Sequence, residues 1–76
     1  MSEASPVTEP RIWPNDVTDR ELQVLHAYCV AEGQKGAASR LGISPRTVRN
    51  TLANIRLRLG VHSTASAVYL LRDRLP

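Results

Sequence analysis

The 76 residues of the chain suffice for one small domain, which buries only about 60% of its unfolded surface and is therefore marginally stable. A hydrophobic content of 42% and a charged content of 22% exclude a fibrous or wholly disordered chain, and no apolar run approaches the roughly 18 residues of a membrane span. One cysteine excludes an internal disulfide, and with two histidines it cannot build a finger-type zinc site, so no metal and no cofactor are expected. The N-terminus lacks the basic and apolar regions of a signal peptide, which indicates a cytoplasmic protein.

The positive charge is concentrated in one part of the chain. The net charge is only +3, but residues 33–72 contain seven basic residues and no acidic one. Nine of the ten basic residues of the chain are arginine, whose planar guanidinium matches phosphates and guanine edges. This pattern is typical of a protein that binds a polyanion, although a solvated basic surface has the same composition.

Residues 1–15 are predicted to form a short disordered tail, and residues 16–76 to form the folded domain. Prolines recur through the tail, and its remaining residues are mostly small or polar. Ile12 and Trp13 are the exception. We expect this pair to anchor the tail on the helical core, and a contact with a partner is the alternative.

The first helix is predicted to start at Thr18. Thr18 and Glu21 have the spacing of a capping box, and Val17 and Leu22 are placed to form the accompanying hydrophobic staple. Cys29 falls on the same helical face as Leu22, so we expect it to be a small buried apolar residue rather than a nucleophile.

Three further helices follow from glycine stops and capping residues. The sequence GQKG predicts a turn, and the second helix then ends at Gly42. Ser44 followed by Pro45 is a strong start signal for the third helix, which stops at Gly60. The predicted ranges are residues 36–41 for the second helix, 45–59 for the third, and Ser63 or Thr64 towards Leu75 for the fourth. The predicted fold is therefore all-α, with four helices in a helix-turn-helix arrangement.

The third helix is predicted to have one apolar face and one polar face. Its core-facing residues lie within about 60° of arc at 100° per residue, and they are Val48, Leu52, Ile55 and Leu59. The opposite side carries Arg46, Arg49, Asn50, Ala53 and Leu57. A recognition helix requires such a division between a buried face and a face of exposed donors, although an amphipathic surface helix with solvated arginines shares it.

We expect Arg46, Arg49 and Asn50 to contact bases in the major groove, because they lie in the first two turns of the third helix. Arginine pairs bidentately with guanine and asparagine with adenine. Phosphate contacts are expected at Lys35, Thr47 and Arg56. The role of Leu57 has two interpretations, since it is either a second contact point or merely an exposed leucine.

These residues resemble the LuxR-type (GerE-like) helix-turn-helix of bacterial transcription regulators, over residues 17 to about 72. The most specific match is the run LGIS-x-x-TV-x(6)-I-x-x-x-LGV, which begins at Leu41 and ends at Val61. The resemblance implies double-stranded DNA as the partner and a third helix that lies in the major groove.

The resemblance also assigns individual residues. It implies base contacts at Arg49, Asn50 and Ala53, and phosphate contacts at Lys35 and Thr47. Some positions depart from the family pattern. Thr51 stands where histidine is frequent, Thr64 where arginine is frequent, and Gly36-Ala37 where a Glu-Ile pair is usual. Most relatives carry an additional N-terminal domain, for which this sequence is too short, so a stand-alone effector or a fragment is expected.

The fourth helix has more apolar surface than its own core contact requires. We expect Ala67, Leu70 and Leu71 to face the core, which leaves Val68, Tyr69 and Leu75 as spare apolar surface. By resemblance this surface forms a homodimer, which suits a two-fold operator. The alternative is a helix end that is partly covered by the Ile12–Trp13 segment.

The sequence thus predicts a sequence-specific DNA-binding transcription regulator without enzymatic activity. One alternative is a promoter-reading domain like that of sigma factors, which would contact RNA polymerase. The other is a helix-turn-helix that binds proteins, such as a small inhibitor of a regulator. This protein-binding alternative is supported by Leu57 and by the surplus apolar face of the fourth helix.

Overall fold

The computed structural model describes residues 17–76, which form four α-helices and no strand. The helices are α1 (Asp19–Ala31), α2 (Gln34–Leu41), α3 (Pro45–Leu59) and α4 (Thr64–Leu71). The predicted all-α, four-helix fold is confirmed over this range. None of these helices is long and apolar enough to cross a membrane. The predicted tail, with its Ile12–Trp13 pair, lies outside the described residues.

The start of α1 has the predicted capping box. The Thr18 hydroxyl accepts a hydrogen bond from the Glu21 amide at 3.1 Å, and the Thr18 amide donates to the Glu21 carboxylate at 3.0 Å. Val17, just before the cap, is buried with Leu22 in the core. Two amides that the helix cannot satisfy internally are therefore paired, which is typically worth about 1 kcal/mol.

The connection between α1 and α2 is shorter than predicted. Glu32 takes a left-handed conformation (φ 59°), Gly33 follows with φ 148°, and α2 already begins at Gln34. The prediction of a turn through Gly36 is therefore wrong, because these two residues reverse the chain by themselves. Gly36 instead lies within α2, where a Cβ atom would be 2.7 Å from the Ala31 Cβ. This close approach brings α2 against the end of α1.

Helix α3 has the predicted limits. The Ser44 hydroxyl accepts from the Thr47 amide at 3.1 Å, Pro45 occupies the first turn, and Gly60 (φ 75°) ends the helix in the left-handed conformation. The predicted core face is confirmed, since its four members are all buried: Val48, Leu52, Ile55 and Leu59. The phase of α3, on which the predicted base contacts depend, is thereby established.

Helix α4 ends at Leu71, earlier than the predicted run towards Leu75. The amides of Arg72 and Arg74 bond the carbonyls three residues back, so the chain tightens into turns after α4. The Arg74 guanidinium then donates to the Val17 carbonyl at 2.7 Å, which fastens the C-terminus to the start of α1.

Two burial predictions are wrong. Cys29 is exposed, although Leu22 and Leu25 on the same side of α1 are buried, because the cover that the other helices provide on this side reaches Leu25 and does not extend one turn further to Cys29. On α4 the buried stripe consists of Ala67 and Leu71. Leu70, which was expected in the core, is 37% exposed, because it lies about 100° from Leu71 around the helix.

The apolar surface of α4 also differs in detail from the prediction. Val68 and Leu75 were expected to be spare surface, but both are half-buried and pack against the core. Tyr69 is 64% exposed, as predicted. The exposed apolar surface of α4 therefore consists mainly of Tyr69 and Leu70.

Candidate nucleic-acid interface

The outward face of α3 carries the residues that the sequence selected for base contacts. Arg46, Arg49, Asn50 and Ala53 are all exposed, opposite the buried face. None of the three polar side chains makes a hydrogen bond or an ion pair within the part of the chain that the structure describes. Two guanidinium groups and one carboxamide are thus available on one helical surface.

One residue of this face was missed in the sequence. Asn54 is exposed on α3, four residues after Asn50 and therefore one turn further along the helix. The same i to i+4 spacing in the sequence could have identified it. The outward face therefore offers two carboxamides in succession, each able to donate and accept hydrogen bonds.

The N-terminus of α3 combines a capped first turn with exposed hydroxyls. Thr47 Oγ1 lies 2.9 Å from Ser44 Oγ, and both residues are exposed. The positive end of the helix dipole is located here, and no acidic residue follows in the first turn of α3. Thr47, for which the sequence predicts a phosphate contact, is therefore exposed at the positive end of the α3 dipole.

The basic residues of α2 lie at its two ends. Lys35 is exposed in the first turn, and Arg40 is exposed in the last turn. Helices α2, α3 and α4 contain no acidic residue. The helix-turn-helix therefore carries an excess of positive charge that favours a polyanionic partner.

Arg56 occupies a different position from the other predicted contacts. Its side chain is half-buried, and its Nη1 donates to Thr64 Oγ1 at 3.0 Å, at the first residue of α4. Thr64 is one of the departures from the family pattern, and its hydroxyl here links α3 to α4. One of the five guanidinium N–H groups is used in this bond, so the others remain free for a phosphate.

Arg58 is likewise held within the domain. Its Nη1 donates to the Glu21 carboxylate, which also caps α1. Both partners are partly buried, so the ion pair is less exposed to screening by salt than a surface pair. The arginines on either side of Leu57 are therefore both bonded to other helices, while Leu57 itself is 69% exposed.

The exposed end of α4 combines aromatic, aliphatic and cationic groups. The Arg72 guanidinium carbon lies 4.1 Å from the centroid of the Tyr69 ring, within the range of a cation–π interaction. Leu70 is exposed next to Tyr69. This surface lies on a different helix from the outward face of α3.

The short helix α2, the turn at Gly42 and the exposed cationic face of α3 together define a helix-turn-helix domain of the DNA-binding type. The family model described as bacterial regulatory proteins, luxR family (GerE), matches residues 15–71. The chain therefore belongs to the LuxR (GerE) family, a family of DNA-binding helix-turn-helix regulators, and the resemblance drawn from the sequence is confirmed. No curated protein and no solved structure matches the chain.

Proposed function

We propose that the chain regulates transcription by binding specific sites in double-stranded DNA, with α3 in the major groove. The observation that carries this proposal is the outward face of α3. Among the described residues, Arg46, Arg49 and Asn50 of this face make no hydrogen bond or ion pair, while the opposite face fixes the helix in the core. A regulator of this kind acts by binding in the cytoplasm, where the bacterial chromosome lies, and without catalysis.

Base recognition follows from the hydrogen-bonding groups on α3. Arg46 and Arg49 can each pair with the O6 and N7 atoms of guanine, and Asn50 can pair with adenine. Each good bidentate pair is worth about 1–3 kcal/mol of discrimination. Ala53 adds no bulk between these side chains, so the helix can approach the base edges closely.

Phosphate contacts would position the helix without specifying sequence. Lys35 at the start of α2 and Thr47 at the start of α3 are exposed and suited to this role. Arg56 would contribute through the guanidinium N–H groups that Thr64 does not use. These contacts account for the salt dependence expected of the complex.

A homodimer through α4 would match a two-fold operator with half-sites about one helical turn apart. Exposed Tyr69 and Leu70 support this arrangement. Val68 and Leu75, which the sequence assigned to the same interface, are half-buried and would contribute their remaining exposed surface.

The experiment is a selection of bound duplexes from a random pool, made with the wild type, Arg49→Ala and Arg20→Ala. Arg20 is an exposed arginine of α1, so its replacement makes the same change in charge away from α3. We expect a two-fold motif for the wild type and for Arg20→Ala, and a motif relaxed at one position for Arg49→Ala. Binding without any enriched motif would overturn sequence-specific recognition.

A second candidate function is favoured by Leu57, a large apolar residue that is exposed on α3. In this alternative the helix-turn-helix contacts a protein, either a regulator or, in a sigma-factor-like role, RNA polymerase. It predicts that Arg49→Ala leaves function unchanged and that Leu57→Ala abolishes binding to the protein partner. A pull-down with purified core RNA polymerase tests the sigma-factor-like form directly.

A further inference from the structure

Leu57 lies on the same line of α3 as the proposed base-reading residues. At 100° per residue, Leu57 is about 20° from Asn50 around the helix, and Arg46 is about 40° from Asn50 on the same side, so Leu57 lies between the two in angle. With 69% of its surface exposed, Leu57 is more exposed than the other large apolar residues of the described chain. The face that presents donors at its N-terminal end thus presents an aliphatic side chain at its C-terminal end.

The neighbouring arginines do not change this apolar character. Arg56 bonds the Thr64 hydroxyl, and Arg58 bonds the Glu21 carboxylate, so both guanidinium groups are held against other helices. In addition, the charge of Arg58 is compensated by Glu21. At this turn of α3, the group that projects outward is therefore a leucine without any hydrogen-bonding capacity.

We propose that Leu57 is a specificity-determining residue that contacts the C5-methyl group of a thymine in the major groove. This inference rests on the proposed function, since it requires α3 to lie in the groove. Thymine carries the apolar group of the major-groove edge of DNA, and apolar side chains recognise it by contact. Phosphates, the other component of the interface, would offer Leu57 no favourable interaction.

The geometry of α3 also predicts where this thymine lies in the half-site. Seven residues separate Asn50 from Leu57, which corresponds to about 10 Å along the helix axis. With a base-pair spacing of about 3.4 Å, the thymine lies about three base pairs from the one that Asn50 reads. The two contacts therefore fit within one half-site.

Deoxyuridine provides the test, because it pairs as thymine does and lacks only the methyl group. Each thymine of the motif selected by the wild type is replaced singly by deoxyuridine, and binding is measured by fluorescence anisotropy. The proteins are the wild type, Leu57→Ala, Leu57→Met and Val30→Ala. Val30 is a control for the loss of exposed aliphatic surface, since it is 48% exposed on α1, outside the helix-turn-helix.

The base pair that Asn50 reads is located by repeating the selection with Asn50→Ala, which should relax the motif at that position. About three base pairs away we expect one thymine whose replacement weakens wild-type binding about three- to fivefold. The affinity of Leu57→Ala should not change on this replacement, and it should change as that of the wild type does when any other thymine is replaced. Leu57→Met and Val30→Ala should retain the wild-type pattern. Alanine favours the helix at least as well as leucine, so circular dichroism should show Leu57→Ala to be folded.

The inference is overturned if no thymine shows a methyl effect, or if the wild type and Leu57→Ala respond equally to every replacement. The inference is also overturned if Leu57→Ala loses binding to a protein partner, such as RNA polymerase in the pull-down, while it responds to the deoxyuridine replacements as the wild type does. That result would assign Leu57 to a protein contact. In these cases the selected motif still stands, so the proposed function survives. A wild type that selects no motif would overturn the proposed function, and this inference with it.

Discussion

The carboxylate of Glu21 in the first turn of α1 binds the guanidinium of Arg58 near the end of α3. One carboxylate oxygen also accepts the Thr18 amide, so a single side chain caps α1 and fixes α3 to it. The ion pair sets the end of α3 that carries Leu57, while the opposite end is set by the Ser44 cap.

Substitutions at Glu21 separate these two roles. Glutamine can still complete a capping box, so Glu21→Gln removes mainly the ion pair, whereas Glu21→Ala removes both contacts. We expect a loss in the free energy of unfolding of less than about 1 kcal/mol for Gln and about 1–2 kcal/mol for Ala. Urea denaturation measures both, with Asp73→Asn, an exposed acid after α4, as the control. Equal losses for Gln and Ala would show that the cap contributes nothing.

Gly36 is required by the close approach of α1 and α2. Alanine normally favours a helix over glycine by about 1 kcal/mol, but its Cβ here would meet the Ala31 Cβ at 2.7 Å. We therefore expect Gly36→Ala to destabilise the domain by about 1–3 kcal/mol, and the double variant Ala31→Gly/Gly36→Ala to recover part of this loss. Thermal unfolding measures the effect, with Ser39→Ala at an exposed position of α2 as the control. A Gly36→Ala protein as stable as the wild type would contradict the packing of α1 on α2.

Glu32 has the left-handed conformation that L-residues avoid, with φ 59° and ψ 42°. Glycine adopts it without strain, so Glu32→Gly should raise the free energy of unfolding by about 0.5–1 kcal/mol. Glu32→Gln is the control, because it removes the same charge from the end of α1 and keeps the side chain. Equal stabilisation by Gln and Gly, measured by urea denaturation, would attribute the effect to charge alone.

The proposed dimer is tested at Tyr69 rather than at Val68, whose half-buried position would let a charge disturb the core. We expect Tyr69→Asp to shift the protein to a monomer and to weaken binding to a two-fold site, while binding to a half-site is retained. Analytical ultracentrifugation with and without DNA measures the assembly, and Val30→Asp on α1 is the control. A wild type that remains monomeric even on two-fold DNA would exclude the dimer.

The local sequence was sufficient to predict where α1 begins and where α3 begins and ends, because capping residues determine these positions. Thr18, Ser44 and Gly60 each act through hydrogen bonds or backbone conformations within a few residues, and the structure has all three in those roles. The phase of α3 was equally predictable, because its apolar spacing has one solution that buries every large aliphatic residue except Leu57.

Features that depend on neighbouring helices were not predictable in this way. Cys29 fits the apolar face of an isolated α1, but how far the neighbouring helices cover that face decides which of its residues are buried. The bond from Arg56 to Thr64 joins two helices, so it was not predictable from the sequence, which indicated only a phosphate contact for Arg56. Leu70 is exposed although the sequence predicted it in the core, and Val68 and Leu75 are half-buried although the sequence predicted them at the surface. Both differences depend on how α4 packs on the core, which the local sequence does not determine.

The central claim is that α3 reads bases, and the most direct measurement is the specificity ratio of the protein. This is the affinity for the selected duplex divided by that for a scrambled duplex, measured at two salt concentrations for the wild type, Arg49→Ala and Arg20→Ala. We expect Arg49→Ala to lower the ratio roughly five- to 150-fold, and Arg20→Ala to preserve it, although higher salt weakens all complexes. A wild-type ratio near one, or a ratio unchanged by Arg49→Ala, would contradict base recognition through this face of α3.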